Sequence, residues 1–424
     1  MFGLLLALAC PFVLAIAVRA GQPPGGRTPG SPPVLAVLLA AYGLRMALQT
    51  FVRDLPIFSY GSGGDWFGYE LVGSTIARVW EASSVRYMTN ADLPWMGTTS
   101  LPPNIFALVI YLNGEKSRAG CVAIVALVSC LTAYNLYRLS VEMGAEPRAA
   151  FGLMAALLFS PNYLYVTCDM FKDGFVVFFT VTALGSSFRL ARRFSLTHLA
   201  IGIVSIFLLR QVRFYLVFLT AAPLLVGLLG LRSKSVFRPL AAVAAIATVV
   251  LAIASASTIF EELSTEADQT FAFATHADVR AFNARGGSGV TFDDGGNPFG
   301  ALGLKVLYTL FSPFPWHGGS FALQVGKVDA LLFYYILYRA SLAARRLWRE
   351  DRRTLVMFLT FLVPVTIAYA TTVSNIGLVL RQRLPLVFVC GWLAALGSAR
   401  STAAARAALS PLALRLRLDR PRVT

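Results

Sequence analysis

The sequence has 424 residues, of which 57% are hydrophobic and only 14% are charged, and its formal net charge is +16. Because soluble domains carry about 25% charged residues, this composition excludes an ordinary soluble protein. The positive charge does not predict nucleic-acid binding, since arginines that hold the cytoplasmic loops of a membrane protein in place explain it. The five cysteines show no CxxC spacing, so neither a disulfide framework nor a zinc site is expected.

The apolar runs predict an all-α polytopic membrane protein that forms a single transmembrane domain over residues 1–424. Several runs reach the roughly 17–25 residues that a helix needs to cross a bilayer. We expect about eleven transmembrane helices, within limits of ten to thirteen. They cover 2–18, 34–52, 119–137, 149–167, 174–188, 196–209, 212–231, 238–257, 328–343, 354–372 and 384–398.

The charges predict which loops face the cytoplasm. The basic tail 399–424 and the segments 344–353, 232–238, 189–193 and 19–33 together hold 19 Lys/Arg and 3 Asp/Glu. Two long loops, 53–118 and 258–304, hold 7 Lys/Arg and 13 Asp/Glu. By the positive-inside rule the tail is cytoplasmic, the chain begins outside, and the two acidic loops lie outside.

Both large outer loops, taken as 53–118 and 258–327, are expected to carry interfacial helices. In the first loop Trp66, Tyr69, Val72, Ile76 and Trp80 recur at roughly helical spacing, which is typical of an amphipathic helix. The apolar patches 101–113 and 301–315 are short and contain "LPPN" and "SPFPW". We therefore treat them as interfacial or re-entrant rather than spanning.

This topology collects the unusual polar residues on the outer face. Each has a simpler structural interpretation: a helix cap for Asp65, an ion pair for Lys172 with Asp173, snorkelling for the arginines, and a structural role for the histidine. Arginines on the outer side are nevertheless not explained by positive-inside anchoring, and their planar guanidinium suits phosphate. The candidates are Asp65, Tyr69, Lys172, Asp173, Arg210, Arg213, His317, Arg381 and Arg383.

Three motifs resemble the GT-C superfamily of membrane glycosyltransferases, in particular its bacterial surface-polysaccharide members. They are the D-x3-Y of Asp65 and Tyr69, the stretch "SPNYLYVTCDMFKDGFVVFF" and the ending "NIGLVLRQRLPLVFV". The resemblance implies a bundle of about a dozen helices with interfacial helices outside. The sequence departs from the family pattern in having an extra N-terminal helix and no second carboxylate beside Asp65.

The resemblance also implies the chemistry. A sugar on a polyprenyl-phosphate donor passes to a lipid-linked or surface glycan acceptor at the outer face of the bacterial plasma membrane, among membrane lipids. Asp65 would be the catalytic base, Lys172 and Asp173 would orient the site, and Tyr69 and His317 would contact substrate. The phosphate would bind to Arg210, Arg213, Arg381 and Arg383. No cofactor or metal site is identified, and a divalent cation stays open.

Two other functions fit the same residues. An O-antigen or exopolysaccharide repeat-unit polymerase would use the outer arginines with His317 and would leave Asp65 as a cap. A lipid-linked saccharide flippase or transporter would need a polar path through the bundle, whereas here the polar residues collect at one face. The pairing of Asp65 with Tyr69 favours the glycosyltransferase.

Overall fold

The computed structural model describes residues 1–21, 32–51, 65–93, 96, 99–229, 288–293, 297, 299–319 and 321–398. Regular secondary structure in these ranges is α-helical, with an isolated antiparallel bridge between Gly289 and Asn375. The predicted span 238–257, the basic tail 399–424 and the first part of the outer loop 258–327 lie outside the described residues.

Fifteen helices make up the described part of the chain. They are α1 (Phe2–Ala20), α2 (Val34–Leu48), α3 (Asp65–Ala82), α4 (Leu101–Asn113), α5 (Arg118–Glu142), α6 (Pro147–Leu158), α7 (Pro161–Tyr165), α8 (Asp173–Arg192), α9 (Leu196–Arg210), α10 (Leu216–Leu229), α11 (Leu302–Phe311), α12 (Phe321–Glu350), α13 (Arg352–Thr371), α14 (Ile376–Gln382) and α15 (Leu384–Leu396).

The described part of the chain is helical and contains candidate membrane spans, which is consistent with an α-helical membrane protein. Within the described residues, α1, α5, α8 and α13 are long and apolar enough to cross a membrane, and the pair α14–α15, bent by 52°, is a fifth span if counted as one. Helices occupy ten of the eleven predicted positions. The number of about eleven spans stays a prediction.

One predicted span, 149–167, is wrong as a continuous helix. Helix α6 ends at Leu158, and the short helix α7 begins at Pro161. Proline lacks a backbone N–H and disfavours helical geometry in the residue before it, and Ser160 is extended. The fully buried Arg45 of α2 fills this break, since it donates to the Leu158 carbonyl at 2.9 Å and to the Thr167 hydroxyl at 2.8 Å.

Two ion pairs define the ends of the bundle. Arg118, at the start of α5, lies 3.4 Å from Asp169, just before α8. Arg189, near the end of α8, binds Glu142 at the end of α5 at 2.7 Å. The two helices therefore run parallel. We call the end at which they begin the site end, and the other the opposite end.

Helices α3 and α4 lie across the site end. The backbone N–H of Leu101 donates to the Gln211 carbonyl that follows α9, at 3.2 Å. At the other terminus of α4, Asn113 accepts from the backbone of Gly3, at the start of α1, at 2.9 Å. Because both termini of α4 meet the site end, this helix does not run along the bundle, which agrees with a non-spanning 101–113.

Close helix contacts in the core depend on glycine. A Cβ placed on Gly227 of α10 would lie 2.5 Å from the carbonyl oxygen of Ser187 in α8, closer than atoms approach. At Gly43 of α2, which is exposed, a Cβ meets nothing within 4 Å. The α8–α10 contact thus requires a residue without a side chain, whereas the α2 position does not.

We expect Gly227→Ala to lower the free energy of unfolding by about 1–3 kcal/mol, because a backbone carbonyl cannot move aside as a side chain could. The matched change Gly43→Ala should leave stability unchanged or raise it by about 0.5–1 kcal/mol, since alanine loses less entropy in a helix. Thermal unfolding of the detergent-solubilised chain measures both. Equal effects at the two sites would contradict this account of the α8–α10 contact.

Candidate functional site

Four charged side chains from four separate segments form a continuous ion network at the site end. Arg381 Nη2 donates to Asp65 Oδ2 at 2.7 Å and to Asp173 Oδ2 at 2.9 Å. Arg213 Nη2 donates to the other oxygen, Asp173 Oδ1, at 3.2 Å. The order Asp65–Arg381–Asp173–Arg213 links the first residues of α3 and α8 to α14 and to the turn between α9 and α10.

Exposure changes steeply along the ion network. The side chain of Asp65 is 51% exposed and that of Arg381 is 19% exposed. The side chains of Arg213 and Asp173 are 9% and 2% exposed. The ion network thus has one carboxylate that a substrate can reach from outside and a second that is enclosed between two guanidinium groups.

Lys172 and Tyr69 complete the site. Lys172 Nζ donates to the Thr99 hydroxyl at 2.9 Å, and burial, together with the charge of Arg213, lowers the pKa of Lys172 to about 8. The Tyr69 hydroxyl lies near Asp65, Asp173 and Thr99. Burial, and then the two carboxylates, raise the pKa of Tyr69, so its hydroxyl stays protonated and can donate a hydrogen bond.

The site contains more cationic groups than carboxylates, and some of their N–H groups are unpaired. Lys172, Arg213 and Arg381 supply three positive charges against the two carboxylates of Asp65 and Asp173. Among the described residues, the buried atoms Arg213 Nη1 and Arg381 Nε have no hydrogen-bond partner. Because a buried unpaired N–H is unfavourable, these atoms favour an anionic ligand at this position.

Contacts on both sides fix the orientation of α14, which carries Arg381. The Asn375 side chain caps the helix by accepting from the Leu378 N–H at 3.3 Å. Asn162 Nδ2, in α7, donates to the Leu380 carbonyl at 2.7 Å. Asn162 in turn donates its backbone N–H to Asp329 of α12 at 2.9 Å. The guanidinium of Arg381 packs over the Phe171 ring, with a distance of 4.9 Å from Cζ to the ring centroid.

Arg383 is placed outside the ion network. Its Nη1 donates to the carbonyls of Thr309 and Ser312 at 3.3 and 2.5 Å, and its guanidinium lies over the Phe333 ring. The residue is buried at 2% exposure. These contacts anchor the α14–α15 bend to the end of α11 and leave Arg383 outside the ion network, so its predicted contact with phosphate stays a prediction.

Arg210 and His317 are the two remaining predicted residues. Arg210 is half-buried at the end of α9, one turn before Arg213. His317 packs against the rings of Tyr308 and Phe314. Burial and the charge of Lys327 lower the pKa of His317, so its imidazole is neutral near pH 7. The structure therefore brings together six of the nine predicted residues, Asp65, Tyr69, Lys172, Asp173, Arg213 and Arg381.

Some residues of the site were not predicted. Thr99 binds Lys172, and Tyr215 and Tyr369 lie beside the Arg213 guanidinium. Asp169, fully buried, pairs with Arg118 at the start of α5. Asp169 could have been noticed, because it lies in an apolar stretch four residues before Asp173. The tyrosines and Thr99 carry no signal in the sequence, since only the packing of α9, α10 and α13 brings them there.

No group of three or more His, Cys, Asp or Glu side chains suited to a metal occurs in the described part of the chain. No protein-family model, no curated protein and no solved structure matches the chain significantly. The site is therefore interpreted from its own geometry.

We expect Asp173→Asn to destabilise the protein strongly, by about 3–5 kcal/mol, because it leaves two largely buried guanidinium groups without their shared carboxylate. Asp65→Asn should change stability by only about 0–1 kcal/mol, because its ion pair is half exposed and screened by solvent. Thermal unfolding of the two variants in the same detergent compares them. A large loss in Asp65→Asn with little change in Asp173→Asn would contradict this assignment of the buried anchor.

Proposed function

We propose that this protein is a membrane glycosyltransferase of the GT-C type, which transfers a sugar from a polyprenyl-phosphate donor to a lipid-linked or surface glycan acceptor. The observation that carries the proposal is the ion network, in which a half-exposed carboxylate lies beside largely buried cations at one end of an apolar helical bundle. The charge asymmetry of the loops supports a location of this end outside the bacterial plasma membrane, with the C-terminus inside.

The donor phosphate binds to the cationic part of the ion network. Arg381, Arg213 and Lys172 present N–H groups at the ends of helices, where a lipid phosphate travels at headgroup depth. Arginine pairs well with phosphate because its donors lie in one plane. As the bond from the sugar to the phosphate oxygen breaks, negative charge grows on that oxygen, and fixed cations stabilise it.

Asp65 acts on the acceptor. Its carboxylate takes the proton of the attacking hydroxyl, the hydroxyl oxygen bonds to the anomeric carbon, and the electron pair of the broken bond leaves with the polyprenyl phosphate. Proton and charge thereby balance without a cofactor. Tyr69, which stays protonated, donates a hydrogen bond to the acceptor or to the phosphate beside Asp65.

Donor binding and base activation are coupled through Arg381. In the structure its Nη2 holds both Asp65 and Asp173. A donor phosphate that takes over this N–H from Asp65 frees the exposed carboxylate to act as a base, while Asp173 keeps the arginine in place. The half-exposed Asp65 pair is the weaker of the two, so it is the one that opens.

Asp65→Asn tests this function in cells. We expect accumulation of a lipid-linked saccharide that lacks one sugar, measured by mass spectrometry of extracted lipids, because the acceptor is no longer deprotonated. Glu115→Gln, an equivalent change at an exposed site-end residue outside the ion network, is the control and should leave the lipids unchanged.

Other outcomes of the same experiment point to other functions. Complete single repeat units on the carrier, facing outside, would mean that the protein is a polymerase. Unaltered glycans in Asp65→Asn, together with a measured movement of lipid-linked saccharide across vesicles, would mean that it is a transporter.

The pKa of Lys172 makes donor binding depend on pH. Lys172 is charged below about pH 8 and neutral above it, so attraction for the donor phosphodiester is present below this pH and is lost as the pH rises through it. We expect kcat/KM for the donor to fall with a midpoint near pH 8. In Lys172→Arg, which stays charged, the fall should disappear. An unchanged midpoint in that variant would assign the titration to another group.

A further inference from the structure

A groove on the side of the bundle, near the opposite end, has a composition that matches a phospholipid. It has a volume of about 260 Å³ and lies between α6, α12 and α15. Small residues such as Gly152, Ala156 and Ala394 form its floor, and a Cβ placed on Gly152 meets nothing within 4 Å. The lining contains one charged residue, Arg339 of α12.

Arg339 lies at the end of the groove that is level with the helix termini. Its backbone carbonyl lies beside Gly397, directly after the end of α15. The start of α6 is at the same level, because the Glu146 N–H donates to the Ser398 hydroxyl at 3.3 Å. The cation therefore lies at the rim of the groove, level with the helix ends. The apolar residues Leu332 and Ala156 lie deeper in the bundle.

The guanidinium of Arg339 contacts the side chain of Tyr335, one turn earlier in α12. Its Nη1 donates to the Tyr335 hydroxyl at 3.1 Å, and its guanidinium lies over the same ring. Within the described part of the chain Arg339 forms no salt bridge. Leu331 and Tyr338 of the same helix are exposed hydrophobic side chains, so the surface around Arg339 is largely apolar. A guanidinium on such a face is stabilised by an anion that arrives with the lipid.

We propose that this groove binds one anionic membrane phospholipid. Its phosphate accepts hydrogen bonds from Arg339 at the rim, and one acyl chain runs inward between α6 and α12. The charged rim of the groove matches the charged headgroup of a phospholipid, and its apolar interior matches the acyl chain. The site is separate from the ion network at the site end and does not depend on the proposed sugar transfer.

Native mass spectrometry of the full chain, with phosphatidylglycerol and phosphatidylcholine added separately, tests the proposal. We expect phosphatidylglycerol to bind more tightly than the zwitterionic lipid. Arg339→Gln should weaken the binding of phosphatidylglycerol by about fivefold, as the loss of one basic contact predicts. Arg345→Gln, an exposed arginine of the same helix outside the groove, is the matched control and should retain binding.

Gly152→Leu provides a second, independent variant. The leucine side chain fills the groove without a clash at Cβ, and we expect it to weaken the binding of phosphatidylglycerol as well. Unchanged phosphatidylglycerol affinity in both Arg339→Gln and Gly152→Leu would overturn the proposal. So would a change of oligomeric state in Gly152→Leu, which would assign the groove to a second copy of the chain. Preferential binding of polyprenyl phosphate over phosphatidylglycerol would assign it to the carrier lipid instead.

Discussion

The carboxylate of Asp173, buried at the start of α8, constrains the architecture of the whole site end. A charge at 2% exposure is tolerated only when it is paired and hydrogen-bonded, and here two arginines from distant segments share its two oxygens. Each arginine must reach Asp173 from a fixed direction, so the α9–α10 turn and the short helix α14 have to meet α8. The ion network is thus both the anchor of the fold at this end and the proposed reaction site.

Helix breaks make such a meeting possible. Proline residues interrupt the chain between α6 and α7 and at the α14–α15 bend, and they leave polar backbone groups inside an apolar bundle. A buried arginine lies at each break and binds backbone carbonyls: Arg45 binds that of Leu158 at the first break, and Arg383, at the second, binds those of Thr309 and Ser312 at the end of α11. Broken helices at membrane depth persist where protein groups replace the missing hydrogen bonds. Arg45 and Arg383 thus support the breaks, whereas Arg213 and Arg381 belong to the ion network.

The gradient of exposure from Asp173 to Asp65 separates two tasks. Groups that must hold charge in a fixed place are buried, where electrostatic attraction is strong. The group proposed to exchange partners and protons lies at the surface, where its ion pair with Arg381 is weak. Near the opposite end, Arg339 is the one charged residue among the described residues that line the apolar groove between α6, α12 and α15.

The sequence by itself determined the helical class, the positions of nine continuous helices and the segregation of charge between loops, because apolar length and arginine placement act locally along the chain. It also identified the six residues that meet in the site. Only the tertiary structure decided which of Arg381 and Arg383 joins the ion network. Residues two apart on a helix point in different directions, so one arginine of the R-x-R pair faces Asp65 and Asp173 while the other faces α11. No sequence pattern records which direction a seven-residue helix takes, since Asn162, Asn375 and Arg383 fix it through contacts between distant segments.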